Sequence, residues 1–126
     1  SDTPIDEDFI NKLAFVDKNN PWELADAEEL FFQHFNPDNE EIVFLIKIYL
    51  LEMLTDIVER KCKLYNLADT ISRIDDKFNH PEWTNELAAF CLYLQPDSQI
   101  TDNIYMEKEI MKTINDLTSD LKERST

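Results

Sequence analysis

None of the 126 residues is glycine. Glycine supplies positive φ without a steric penalty, so its absence removes the usual residue of tight hairpin turns, phosphate-cradling loops and helix C-caps. Walker, Rossmann and nucleophile-elbow signatures all require it and are therefore excluded. β-Hairpins are disfavoured for the same reason. What remains open to such a chain is helix joined to helix, with every helix end closed by some other residue.

Five prolines punctuate the sequence in agreement with that expectation. Thr3-Pro4 reads as N-cap and first helical position, opening a helix from Pro4 to about Phe15. Asn20-Pro21-Trp22-Glu23 opens a second helix, to about Phe35, with Glu23 at the capping-box position. Asn36-Pro37 stops that helix, and Asp38 with Glu41 forms the next capping pattern. From Ile42 to Val58 apolar residues cover almost every side, the pattern of a helix surrounded by neighbours, and the segment could continue to Leu64 or Tyr65. Phe44, Leu45, Ile48, Leu51 and Leu54 are expected in the core. Shorter helices follow over Ala68–Phe78 and from His80-Pro81 to about Leu94. A last helix over Asn103–Leu121 carries a seam of Met106, Ile110, Ile114, Leu117 and Leu121, with Lys122, Glu123 and Arg124 fraying. The expected architecture is all-α: one domain, residues 1–126, a bundle of five or six helices around a long central apolar helix.

Charge constrains function. Twelve basic against 27 acidic residues give a net charge of −15, and the first 41 residues carry 12 acids and 2 bases. Such a surface repels nucleic acid and anionic membranes and accelerates encounter with cationic partners. The basic run Arg60-Lys61-x-Lys63 is too short for a nucleic-acid face, and it lies where a helix dipole favours cations. No apolar stretch is long enough to span a bilayer. Cys62 and Cys91 fall in apolar helical patterns outside any Cys-x-x-Cys pair, as separate reduced thiols of a cytoplasmic protein do.

Catalytic and metal-binding patterns are not found. His34 and His80 are the candidates for proton transfer, yet no Ser, Cys or carboxylate is placed by sequence to complete a triad. Phe31 and Lys77 stand three residues before them, so the inward Glu-x-x-His motif of helical metal sites is missing. Asp17, Asn19 and Glu28 share part of a calcium-loop spacing, but Pro21 and Trp22 occupy its turn. No cofactor is expected, and aromatic residues interleaved with apolar ones read as core.

The remaining feature is the carboxylates themselves, among them Glu28 and Glu29, Asp75 and Asp76, and Asp97 and Asp102. Rigidly held acids can imitate phosphate spacing and occupy the basic cleft of a nucleic-acid-binding protein. The stretch Glu86-Leu87-Ala88-Ala89-Phe90, then Tyr93, Pro96-Asp97, Tyr105-Met106-Glu107-Lys108-Glu109-Ile110 and the seam to Leu121 resembles the end of colicin D-type immunity proteins. That family is related to the immunity proteins of contact-dependent inhibition systems. The resemblance implies a small helical bundle that neutralises a co-encoded ribonuclease toxin with acidic residues, and Tyr93, Asp97, Glu107 and Glu109 are the matching positions. Together these readings give a non-enzymatic inhibitor of a basic protein partner, a nuclease toxin. Its expected contact residues are Asp75, Asp76, Tyr93, Asp97, Asp102, Glu107 and Glu109. Alternative readings are a DNA mimic acting on a host DNA-binding or defence protein, and a helical adaptor or secretion chaperone.

Overall fold

The computed structural model describes Asp17, residues 19–33 and residues 38–125. The expected helix Pro4–Phe15 and His34 lie outside the described residues. Within them the chain is all-helical: α1 (Pro21–Gln33), α2 (Glu40–Val58), α3 (Leu64–Lys77), α4 (Glu82–Cys91), a 3-10 turn (Ile100–Asp102) and α5 (Ile104–Ser125). α2 packs along α5, α3 packs against both α1 and α4, and α4 also lies on α5.

Without glycine the helix ends find other closures. The Asn20 side chain caps α1 by accepting from Glu23 N–H at 3.2 Å, as its spacing suggests. α2 is capped by Asn39 and not by the expected Asp38; its side-chain oxygen accepts from Glu41 N–H at 2.9 Å. α2 stops at Val58, short of Leu64, because Arg60 takes the left-handed conformation with φ 63°. Lys61 N–H then donates to Asp56 O at 2.7 Å and Arg60 N–H to Ile57 O at 3.1 Å. That bond pair is a Schellman motif, with arginine where glycine is usual. α3 ends with the same bond pair but two left-handed residues: Asn79 has φ 58° and His80 φ 57°, and His80 and Asn79 N–H donate to Asp75 O and Asp76 O.

These closures shift other boundaries. The turn after α2 delivers the chain early, so α3 begins at Leu64 rather than Ala68. α4 ends at Cys91, where Tyr93 N–H and Leu94 N–H turn back to the carbonyls of Phe90 and Cys91. Lys122 and Glu123 do not fray; with no breaker before it, α5 continues to Ser125.

α2 is continuous, as its apolar coverage predicts, but its most buried line is a different one. Ile42, Ile46, Tyr49, Leu50, Met53, Leu54 and Ile57 are buried, whereas Phe44, Leu45, Ile48 and Leu51 are only half-buried. Leu67, Ile71 and Ile74 of α3, Leu87 of α4, and Met106, Ile110 and Leu117 of α5 complete the core with Leu24 and Phe32 of α1. Each fully buried Leu or Ile contributes about 1.5–3 kcal/mol of transfer free energy. Cys62 and Cys91 are separate buried thiols. Among the described residues no helix is long and apolar enough to cross a membrane.

Candidate partner interface

α4 turns Thr84, Leu87 and Cys91 inward and leaves Glu82, Asn85, Glu86 and Ala89 exposed. Beyond its end Leu92 and Tyr93 are each 81% exposed. The chain from Leu92 to Asn103 is tied down locally. Ser98 Oγ accepts from Gln95 N–H at 2.9 Å, and Asp102 Oδ2 from Gln99 N–H at 2.8 Å. Asn103 caps α5, accepting from Tyr105 and Met106 N–H groups, after which Ile104 and Tyr105 also point to solvent. Large apolar side chains fixed outward on an ordered backbone lose little entropy on binding, and interfaces are enriched in tyrosine for that reason.

Where α4 lies on α5, Glu86 is exposed and Glu109 half-buried, near enough for Glu109 to feel the charge of Glu86. Partial burial raises the Glu109 pKa, and Glu86 raises it further by charge and hydrogen bond, as does Asp116; Lys112 pulls it down. Neighbouring groups of like charge repel, and a cation placed over them relieves that repulsion.

The expected contact residues do not all share that surface. Tyr93, Asp97 and Asp102 are exposed and Glu107 and Glu109 half-buried, all on the α4–α5 segment. Asp76 is exposed on α3, whereas Asp75 is buried and not available to a partner. Its Oδ1 accepts from the Thr84 hydroxyl at 2.8 Å and its Oδ2 lies 2.6 Å from His80 Nδ1. Adjacent helical residues differ by about 100° in direction, so Asp75 and Asp76 cannot face the same way.

Glu28 is likewise no surface acid. It is 1% exposed; Oε1 accepts from Tyr49 and Thr70 hydroxyls at 2.9 and 2.6 Å, and Oε2 has no hydrogen-bond partner. Arg73 Nη1 is 3.7 Å from Oε2 but donates to Ala25 O at 2.8 Å. Burial raises the Glu28 pKa against the opposing effects of those hydroxyls and Arg73.

Among the described residues one group, Asp75, Asp76 and His80, has the composition of a metal site. Both Asp75 oxygens and His80 Nδ1 are engaged in the hydrogen bonds above, so the group acts as a lock between the α3 turn and α4. The hydrogen bond to Asp75, then the charges of Asp75 and Asp76, raise the His80 pKa. The partial calcium-loop spacing is also put to structural use: Asn19 bonds Lys61 O and Lys63 N–H, and Glu28 is in the core.

Sequence reasoning missed Leu92, Ile104, Tyr105 and Glu86. It read aromatics as core, yet Trp22 and Tyr65 are exposed together with Tyr93 and Tyr105. Their spacing carried a signal for Tyr93, which continues the exposed line Glu82, Glu86, Ala89 by helical steps. No family model, curated protein or solved structure matches the chain.

Proposed function

We propose that this protein is a stoichiometric, non-catalytic inhibitor that binds a basic protein in the cytoplasm through the exposed face of α4, the Leu92–Asn103 connection and α5. The observation that carries the reading is the exposed apolar group Leu92, Tyr93 and Tyr105 on the same two-helix unit as the acids Glu86, Asp97, Asp102, Glu107 and Glu109. A cationic group relieves the carboxyl repulsion, the aromatic side chains supply apolar contact area, and the net charge of −15 steers the encounter. The resemblance to colicin D-type immunity proteins names the partner class, a nuclease toxin whose basic cleft these acids fill in place of phosphates.

The test pairs the chain with the product of the gene beside its own and follows RNA and DNA cleavage by that product. The expected result is one-to-one loss of cleavage, with an association rate that falls as salt rises and a weaker block by the Asp97→Asn/Asp102→Asn variant. Binding that ignores salt and depends on Leu92 and Tyr105 alone would instead favour an adaptor that holds an apolar segment.

A further inference from the structure

The basic run Arg60-Lys61-x-Lys63 is not absorbed by a partner-binding role, and the α2 dipole accounts for only part of it. α2 ends at Val58, with Arg60 and Lys61 in its closing turn and Lys63 beyond it. Lys63 is instead the N-cap of α3, makes no side-chain cap and is followed by no acid in the first turn. A helix N-terminus is the positive end of the dipole, where Asp, Asn, Ser or Thr stabilise and a cation does not. In a chain with 27 acids and 12 bases, a cation at that position is an unexpected choice.

All three cations line one cavity of about 210 Å³, together with Asn19, Ser98 and Gln99. Only Lys61 has a carboxylate partner, Glu59 at 2.8 Å; among the described residues Arg60 and Lys63 have no ion pair. The walls are held in place. Asn19 clamps the backbone of Lys61 and Lys63, at 3.1 and 3.2 Å. Ser98 Oγ accepts from Gln95 N–H, which holds this lining residue in place.

We propose that this cavity, between the α2–α3 turn and the loop before the 3-10 turn, binds a phosphate group, either inorganic phosphate or a phosphate monoester. The donor set carries the assignment: an arginine, two lysines and a serine line one cavity, and among the described residues two of the three cations have no ion pair. A tetrahedral oxyanion with three free oxygens uses more of these donors than a carboxylate does. The assignment rests on the basic lining and not on the inhibitor reading, while Ser98 and Gln99 also belong to the Leu92–Asn103 connection.

The experiment is a titration of the full chain with sodium phosphate, and separately with a ribonucleoside 5′-monophosphate, followed by backbone amide NMR at constant ionic strength against sodium chloride. The expected result is saturable shifts confined to residues 60–66 and 96–100, with at least tenfold weaker binding in Arg60→Gly and in Lys63→Gln. Arg60→Gly removes the cation while giving the left-handed turn its preferred residue, so loss of binding in that variant is not loss of fold. Tighter binding of the nucleotide than of phosphate identifies a monoester as the occupant, and equal binding identifies the free ion. Non-saturating shifts, shifts equally produced by chloride, or unchanged affinity in both variants overturn the proposal.

Discussion

Replacing Glu28 separates what its charge does from what its hydrogen bonds do. Oε1 holds the Tyr49 and Thr70 hydroxyls, linking α1 to α2 and α3, while Oε2 lies unbonded near an Arg73 that is partly exposed. Glu28→Gln keeps an acceptor at Oε1 and removes the charge. Exchanging a buried ionic group for a neutral one of the same shape is often neutral, so at pH 7 the amide variant should lie within about 1 kcal/mol of wild type. Glu28→Ala strands two buried hydroxyls at about 1–3 kcal/mol each and should cost about 2–6 kcal/mol. For a domain whose whole stability is about 5–15 kcal/mol that is a large share.

The pH dependence gives the sharper test. A carboxyl whose folded pKa lies above its unfolded value binds more protons when folded, so stability falls as pH rises from the unfolded pKa through the folded one. Because burial raises the Glu28 pKa, wild type should lose stability relative to Glu28→Gln as pH rises from about 4.5, the ordinary carboxyl value. Urea unfolding followed by circular dichroism at pH 5 and pH 8 measures that difference. A wild type that instead gains on the amide variant with rising pH would show that the Arg73 pairing outweighs burial and would refute the reasoning.

Three further outcomes follow from the same geometry. Since His80 is raised by Asp75, the bond's contribution is complete below the unfolded histidine pKa of about 6.5 and is lost as pH rises through the folded value; thermal melts of wild type against His80→Gln should converge toward high pH, and a constant offset would contradict the lock. Arg60→Gly should stabilise the fold by roughly 0.5–1 kcal/mol in urea unfolding and Asn79→Gly by less, because asparagine tolerates the left-handed region better than arginine. Burial pushes the Cys91 thiol up to about 12, so it should react with a disulfide reagent at neutral pH only after denaturant is added.

The all-helical architecture was legible because prolines and asparagines mark where helices begin, and Asn20 caps α1 as its spacing suggests. The stop of α2 was not, since no glycine announces it and Arg60 carries the left-handed turn. Nor was its buried line: a helix apolar on every side contains no phase, so Phe44 and Ile46 look alike until neighbours are placed. The inward acids could have been read. Glu28 continues the line Leu24–Glu28–Phe32, and Asp75 lies on Ile71–Asp75–Phe78, both at helical steps along buried or half-buried positions. Reading charge before phase put them on the surface. Glu86 and Glu109, 23 apart in sequence, are brought near each other by the packing of two helices, which no local pattern encodes.

The central claim, that the α4–α5 face binds a basic partner, is tested most directly by dissociation rates of the complex with the neighbouring gene's product. Glu86→Gln/Glu109→Gln and Tyr93→Ala should each speed dissociation by more than tenfold, about 1.4 kcal/mol, while the fold is kept. The exposed α1 pair Glu23→Gln/Glu29→Gln should alter mainly the association rate, through long-range steering. Failure of the complex to form, or dissociation unchanged in both α4–α5 variants, would contradict the account.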